Sequence, residues 1–382
     1  MRLKILYIVP STGRGGAETF ISHTAYLHDP VKFDITYALL RPGPLEHELQ
    51  NTKWHVFVYT EKFRLSRPWS IFKIIKWLRV LIRTEKIQLV HSTMAYGALL
   101  GALAAYLDKV PHIWFQHGPV SGWMDLLAQI LPCRKILVNS QHTLMAQEKL
   151  KNKYILLKYF IPVRQTVVIR LGVNFKQIYP WIINDKKALS IRNQWGFKKD
   201  DFLVGVLARL NPQKGIKLFI EALALVNEKN VYGLIFGSEP NSISGHGFKR
   251  QLEEQARLLK SPVRFLGEAQ EPWQVMAALD VVVCSSITPE GFGLTLVEAM
   301  AVGSVPIAPM EGGPLDIIED RKTGLFFQPR NAAALAEKIK LLLQKNLYDA
   351  IAKNAFQLAR SQFDAQNAIL NIENIYIAIA KK

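Results

Sequence analysis

Two carboxylates, Glu290 and Glu298, stand with seven residues between them in the run Thr288-Pro289-Glu290-Gly291-Phe292-Gly293-Leu294-Thr295-Leu296-Val297-Glu298-Ala299-Met300-Ala301-Val302-Gly303. Val281 to Cys284, just before it, is an apolar, β-branched run that reads as a strand buried on both faces. Gly291 and Gly293 let the backbone turn and approach a ligand closely. Leu294 to Val302 has helical composition and stops at Gly303, with Pro306 beyond. The turn and the helix start, Gly291, Phe292, Gly293, Leu294 and Thr295, therefore offer free N–H groups and the positive end of a helix dipole, which suits phosphate. Glu298, one turn into the helix, would repel phosphate and instead suits a pair of hydroxyls such as those of a ribose. Glu290, ending the strand side, can accept hydrogen bonds from a second polyol. A diphosphate between two sugars is a nucleotide sugar.

Two cations complete the set. Arg209 and Lys214 lie in Ala208-Arg209-Leu210-Asn211-Pro212-Gln213-Lys214-Gly215, a loop that follows a strand and opens a helix. There they are placed to hold a diphosphate and to offset the charge that grows on it as it departs, where fixed charge helps a reaction most.

The spacing resembles the Glu-x(7)-Glu signature of retaining glycosyltransferases of the GT-B fold, in the large family 4 (group 1) class, and the surroundings match as well: strand, Pro-Glu-Gly-Phe-Gly turn, helix, then Gly303-Ser304-Val305-Pro306-Ile307. The resemblance implies an α/β, GT-B architecture, with two Rossmann-like doubly wound domains facing a central cleft. It implies that the matching Arg209 and Lys214 bind the donor diphosphate. The loop Gly13-Arg14-Gly15-Gly16-Ala17-Glu18 is similar to the family's Gly-Gly-Ala-Glu loop, in which Gly15 and Gly16 let backbone N–H groups approach the donor phosphate or the acceptor. His117, in Phe115-Gln116-His117-Gly118-Pro119, corresponds to a family histidine near the donor sugar. Gly237, in Gly237-Ser238-Glu239-Pro240, and Leu266, in Val263-Arg264-Phe265-Leu266-Gly267, match loops that face the nucleotide. Glu239 replaces the second glycine of the usual Gly-x-Gly-Pro, and Leu266 would meet the base through backbone groups. His91 and Ser140 also end strands of the first domain and are cleft candidates. In this family the leaving diphosphate is commonly held to receive the acceptor proton in a same-face displacement.

The elements that must carry these residues alternate strand and helix throughout, the mark of parallel α/β sheets. Strands are expected at Lys4–Val9, Asp34–Leu40, His55–Tyr59, Leu89–His91, His112–Gln116, Lys135–Asn139 and Thr166–Ile169, and again at Leu203–Ala208, Tyr232–Phe236, Val263–Leu266, Val281–Cys284, Val305–Ala308 and Gly324–Phe327. We divide the chain into an acceptor-side domain, 1–172, a nucleotide-sugar-binding domain, 173–355, and a terminal helix, 356–382, whose amphipathic spacing and family precedent return it to the first domain.

Length and composition agree: 382 residues call for two domains. Cys133 and Cys284, both in apolar contexts, are no disulfide framework and suit a reducing cytoplasm. No stretch reaches transmembrane length, and the apolar core of the first ten residues is too short for a signal peptide. No Asp-x-Asp occurs and no Cys/His cluster has zinc spacing, so no metal or other cofactor is expected; the helix end and two cations carry the phosphate charge. A dinucleotide oxidoreductase is disfavoured because Glu18 occupies the third glycine position of G-x-G-x-x-G and the carboxylate expected near the end of the second strand is missing.

The net charge of +17 is uneven: residues 1–172 hold 23 Lys/Arg against 10 Asp/Glu, residues 173–382 hold 25 against 21. The first half therefore prefers an anionic partner. Within it, Lys73, Lys76, Arg79, Arg83 and Lys86 fall at spacings of three or four, among Trp69, Phe72, Ile75 and Trp77, in a helix opened by Pro68. This helix reads either as one lying on an anionic membrane or as one whose apolar side covers the sheet while its cations meet water; the Lys149–Lys158 run carries the same two readings. The whole describes a retaining, metal-independent hexosyltransferase moving a sugar from a nucleoside diphosphate, UDP before GDP, to a hydroxyl of a glycan or lipid-linked acceptor. The setting would be cell-surface polysaccharide or lipopolysaccharide assembly at the inner membrane face. The alternatives are a non-catalytic nucleotide- or glycan-binding protein and a basic nucleic-acid-binding protein; no nucleic acid is expected, because aromatics do not interleave with cations on a recognisable binding module.

Overall fold

The computed structural model describes residues 2–13, 15–64, 66–120, 122–153, 165–179, 185–239 and 247–381. Arg14, Pro240 and the 154–158 part of the second basic run lie outside them. The chain forms two compact units, residues 1–171 with 365–382, and residues 172–364.

In the first unit, β1 (Leu3–Val9), β2 (Phe33–Leu39), β3 (His55–Val58), β4 (Leu89–Thr93), β5 (His112–Gln116), β6 (Lys135–Val138) and β7 (Thr166–Val168) form one parallel sheet in the order β3-β2-β1-β4-β5-β6-β7. In the second, β8 (Phe202–Leu207), β9 (Val231–Phe236), β10 (Val263–Gly267), β11 (Val281–Val283), β12 (Val305–Pro309) and β13 (Leu325–Phe327) form a parallel sheet in the order β10-β9-β8-β11-β12-β13. All thirteen expected strands are present, with ends displaced by at most two residues and β5 as expected. They are legible because a strand buried on both faces needs an unbroken apolar run; β4, β5, β11, β12 and β13 are buried along their whole length. In each sheet the strand order reverses beside the first strand, β1 or β8, and in doubly wound sheets ligands bind outside the carboxyl ends of strands at such a point.

Right-handed crossovers decide which helix covers which face. The connections β1 to β2 to β3 run one way across the first sheet and place the helices Gly16–Leu27 and Pro44–Gln50 on one face. The connections from β3 through β7 run the other way and place Pro68–Thr84, Met94–Leu107, Trp123–Ile130 and Gln141–Lys153 on the opposite face, where each touches the next in line. Ile74, Leu78, Leu81 and Ile82 bury the apolar side of Pro68–Thr84 in a core with Leu6, Ile8, Val90 and Leu100. The second unit's core gathers Val204, Val206, Phe219, Val281, Ile307 and Phe327.

The terminal helix differs from expectation. The helix Lys345–Gln362 stays in the second unit; the chain leaves it at Phe363, which is buried against Phe292 at 6.2 Å between ring centres and whose carbonyl accepts from Val173 N–H at 2.9 Å. The return therefore starts at Ala365 rather than at 356, and the helix Ala365–Ala380 packs on Gly16–Leu27 in the first unit. Its seal is polar and buried. Glu373 accepts from His28 Nδ1 and Asp29 N–H, both at 2.9 Å, and the Tyr376 hydroxyl meets Tyr7 and His91 Nδ1.

Candidate functional site

In the second unit the loops after β8 and β11 are fastened to each other. Ser285 Oγ donates to the Lys214 carbonyl at 2.8 Å and Ile287 N–H to the Gln213 carbonyl at 2.9 Å. Gly215 sits between them at φ +63°, where a Cβ would fall 1.9 Å from the Ser285 carbonyl oxygen, so glycine is required by both conformation and space. This clasp brings Lys214 Nζ to 2.6 Å from Glu290 Oε1, and Ser286 Oγ donates to the same oxygen. The pair is about three-quarters buried, with side-chain exposures of 27% and 23%, which leaves it open to a ligand.

Behind Glu290 the backbone is equally determined. Gly313 N–H donates to the Glu290 carbonyl at 2.8 Å. A Cβ on Gly313 would stand 2.4 Å from Phe292 Cα, and Gly312, at φ +72°, lies against the Glu290 backbone. Gly291 and Phe292 are buried, and Gly293, at φ +107°, caps the helix Leu294–Ala301, with Leu294 buried and Thr295 half-buried in its first turn. Glu298 is 9% exposed and has no hydrogen-bond or ion-pair partner among the described residues. Burial without a partner pushes its carboxyl up to about 7. A carboxylate held this way awaits hydrogen-bond donors. Cys284, by contrast, is pushed up to about 11 by burial and by the Glu290 charge; it stays a thiol and supplies no nucleophile.

The neighbouring strand ends carry the remaining candidates. Arg209, just beyond β8, is exposed and has no ion-pair partner among the described residues. Gly237, after β9, is at φ +147°, and its absent Cβ would lie 1.9 Å from the Ala208 oxygen; its N–H donates to the Gly267 carbonyl at 2.7 Å. The β9–β10 ladder shifts register between Phe265 and Gly267, which leaves Leu266 without a partner in it. Glu239, the residue that breaks the expected Gly-x-Gly-Pro, turns to the helix Phe248–Leu258 and accepts from Lys249 N–H at 2.6 Å.

In the first unit, Gly16 opens the helix Gly16–Leu27, and the Gly15 carbonyl accepts from Thr19 N–H at 2.9 Å. His117 follows β5, 8% exposed, its ring 4.0 Å from Phe115 and 4.8 Å from Phe20 between centres. Neither ring nitrogen has a partner among the described residues, and burial lowers its pKa to about 3, so the imidazole is neutral. Its position is fixed through the backbone. Asn139 Nδ2 donates to the His117 carbonyl at 2.8 Å, and Gln116 Nε2 donates to Asp125 at 2.9 Å and to the Gly118 carbonyl at 3.2 Å.

Two candidates are corrected. His91 does not face a ligand: it is wholly buried, stacked on Tyr7 and bonded to Tyr376 of the returning helix, and desolvation lowers its pKa far below normal. Ser140 caps the helix Gln141–Lys153, accepting from Thr143 N–H at 3.0 Å. Sequence reasoning missed Ser286 and the Gly312-Gly313 pair. The serine doublet directly before the motif and a glycine pair directly after the next strand were the available signals. Among the described residues no group of three His, Cys, Asp or Glu side chains is gathered as a metal site.

Two parallel doubly wound sheets, one ending in a carboxylate–ammonium pair on a glycine turn that opens a helix, define a GT-B glycosyltransferase. The comparisons with known proteins agree. Residues 14–177 match the model of Glycosyltransferase Family 4 and residues 188–358 that of Glycosyl transferases group 1. The chain is 25% identical over 356 residues to the N,N'-diacetylbacillosaminyl-diphospho-undecaprenol alpha-1,3-N-acetylgalactosaminyltransferase of Campylobacter jejuni, covering 90% of this chain and 88% of that one. It is 23% identical over 367 residues to the UDP-Gal:alpha-D-GlcNAc-diphosphoundecaprenol alpha-1,3-galactosyltransferase of Escherichia coli, covering 91% and 89%. In fold it matches the crystal structure of Anabaena Alr3699/HepE in complex with UDP-glucose, with a TM-score of 0.84 at 23% identity over 99% of this chain and 100% of that one. The chain belongs to the group 1 glycosyltransferases.

Proposed function

We propose that the protein transfers a hexose, with retention of anomeric configuration and without a metal, from a uridine diphosphate sugar to a hydroxyl of a lipid-linked glycan in cell-surface polysaccharide or lipopolysaccharide assembly, on the cytoplasmic side. The observation that carries this is the clasped Lys214–Glu290 pair at the mouth of a glycine turn, with a buried, unpartnered Glu298 one helical turn further on. Glu298 accepts the two ribose hydroxyls. The N–H groups of Gly291 to Thr295 receive the diphosphate, and Leu266 and Gly237 meet the nucleotide through their backbones. Glu290 accepts from the hydroxyls of the donor sugar. Lys214 already stands beside it, so one ammonium can serve both sugar and phosphate. Arg209, with no competing carboxylate among the described residues, is available to the departing diphosphate.

In the transfer, the acceptor oxygen bonds to the anomeric carbon on the face from which the phosphate oxygen leaves. The acceptor proton passes to that phosphate oxygen, and the charge left on the diphosphate is met by Arg209, Lys214 and the helix end. His117, neutral, hydrogen-bonds a sugar hydroxyl. Gly15 and Gly16 bring backbone N–H groups to the donor phosphate or the acceptor. The choice of uridine and of a lipid diphosphate acceptor rests on what the Campylobacter, Escherichia and Anabaena proteins are named for. The test is thermal-shift binding with UDP-, GDP-, ADP- and dTDP-sugars, with chelator in place of metal. A rise in melting temperature with UDP-sugars alone is expected. No rise with any of them would overturn the reading.

A further inference from the structure

Among the described residues nothing bonds to the His117 ring. Both its nitrogens are buried without a partner, so its orientation comes from the rings packed on it. Phe115 lies nearly parallel to it, at 4.0 Å and 30°, and Phe20 from the helix Gly16–Leu27 meets His117 at 4.8 Å and Phe115 at 4.9 Å. The stacking continues across the sheet. Phe115 lies 6.2 Å from His91 at 22°, His91 4.4 Å from Tyr7 at 29°, and Tyr7 5.4 Å from Tyr37 at 29°. Tyr37 and His91 are the register partners of Tyr7 on the strands to either side. Rings from β2, β1, β4 and β5 thus form one row that ends in His117.

The middle of this row is tied to the returning helix by one hydroxyl. Tyr376 bonds both Tyr7 and His91. Counting protons fixes the direction of each bond. Glu373 Oε1 accepts from His28 Nδ1, and His28 is kept neutral by burial, so its Nε2 accepts from the Tyr7 hydroxyl at 2.9 Å. Tyr7 then has no second proton to give, and its oxygen accepts from the Tyr376 hydroxyl. Tyr376 in turn has none left for His91, so His91 Nδ1 donates to the Tyr376 oxygen. That oxygen therefore sets the tautomer of His91 as well as its ring angle, and leaves His91 Nε2 as a buried lone pair with no partner among the described residues. Without the oxygen, a buried N–H would be left unpaired, a cost that the ring escapes by turning.

We propose that Tyr376 is a positioning residue for the transfer: by pinning His91 and Tyr7 it holds Phe115, and through Phe115 the imidazole of His117, at the angle from which a neutral ring nitrogen reaches a sugar hydroxyl. The inference rests on the role given to His117 above. A group that acts only by a hydrogen bond must be aimed to within about 0.5 Å, and here the aim is supplied by stacked rings alone. It also accounts for a hydroxylated ring at 376, on a helix whose inward side is otherwise Ala365, Ala368, Ile369, Ile372 and Glu373.

The experiment is a double-mutant cycle on the full chain, read as UDP release from a saturating mixture of UDP-glucose, UDP-galactose and UDP-N-acetylgalactosamine. Tyr376→Phe keeps the ring and removes the oxygen. It should lower the rate about five-fold while the donor-induced rise in melting temperature stays at the wild-type value. In a His117→Asn background the same substitution should change the rate by no more than about two-fold. Ile369→Val trims the same helix two turns earlier; it should lower the melting temperature and leave the rate unchanged. Independently of turnover, nitrogen NMR spectra of histidine-labelled protein should show His91 protonated at Nδ1 in the wild type and the His117 signals displaced in Tyr376→Phe. Equal rate losses in both backgrounds, a loss in Ile369→Val as large as in Tyr376→Phe, or His117 signals that do not move would overturn the proposal. A wild-type rate in His117→Asn would remove the sugar-binding role of His117, and the proposal with it, while the spectra report on the row of rings alone.

Discussion

The two sheets are wound alike and finished differently. At the strand ends of the second unit stand formal charges, Lys214 on Glu290 and Arg209, which has no ion-pair partner among the described residues, with Glu298 poised to ionise near neutrality. In the first unit His91, in the middle of β4, and His117, just after β5, are buried and neutral, their pKa values lowered by desolvation. The charge of the first unit is displaced to the outer surface of its helices. A shared topology thus fixes where groups stand, and the immediate packing fixes whether they hold charge. A departing diphosphate needs fixed charge, whereas a hydroxyl acceptor needs only neutral hydrogen-bonding groups.

Mutation can break this contrast. Arg209→Ala should have the largest effect, lowering kcat by roughly 10² to 10³ with donor KM changed only a few-fold, the size seen when one fixed stabiliser of developing charge is removed; steady-state kinetics with saturating acceptor reads it. Gly237→Ala tests the scaffold instead: its Cβ would meet the Ala208 oxygen, and a loss of about 3 kcal/mol, or ~10 °C in melting temperature, is expected. Glu298→Ala should weaken donor binding about ten-fold while kcat at saturation stays near wild type, as measured by calorimetric titration with the donor.

Smaller effects sharpen the contrast through pH. The Glu298 carboxyl titrates near 7 in the fold against 4.5 ordinarily. Between these values the folded state binds the extra proton, so this group's stabilising contribution is complete below about pH 4.5 and falls away as pH rises through 7. Glu298→Gln should therefore melt a few degrees above wild type at about pH 8 and show no such gain at about pH 4. Smallest of all, His117→Asn should lower the pH–rate curve without changing its shape between about pH 5 and 8, since the imidazole stays neutral throughout that range. A new inflection lost in that variant would mean the histidine titrates in the working enzyme.

What the sequence disclosed followed from local chemistry. Continuous apolar runs announced strands such as β11 and β12, and Gly-Phe-Gly before a helical stretch announced the turn and the two carboxylates around it. Support that arrives from a distance was silent. Gly312-Gly313 reaches Glu290 only because β12 returns beside β11, and Ser286 matters only because the clasp with Lys214 turns its hydroxyl inward. His91 looked like His117, each ending a strand; their difference is made by Tyr376, a residue 285 positions away. The terminal amphipathic pattern was correct in kind but ran through Phe363, where the helix ends and the backbone pairs with Val173 instead.

The returning helix also orders events in time. Tyr7, His28 and His91 are made by the ribosome well before the groups that satisfy them, Glu373 and Tyr376, which follow 285 to 369 residues later. The first unit therefore cannot reach its finished core until Tyr376 has been made, although domains generally fold as units from the N-terminus during synthesis. The second unit, whose sequence is continuous, has no such wait. The unit whose translation begins first thus becomes native last, and a chain that stopped before Glu373 would carry an intact second unit and a first unit with an open polar seam.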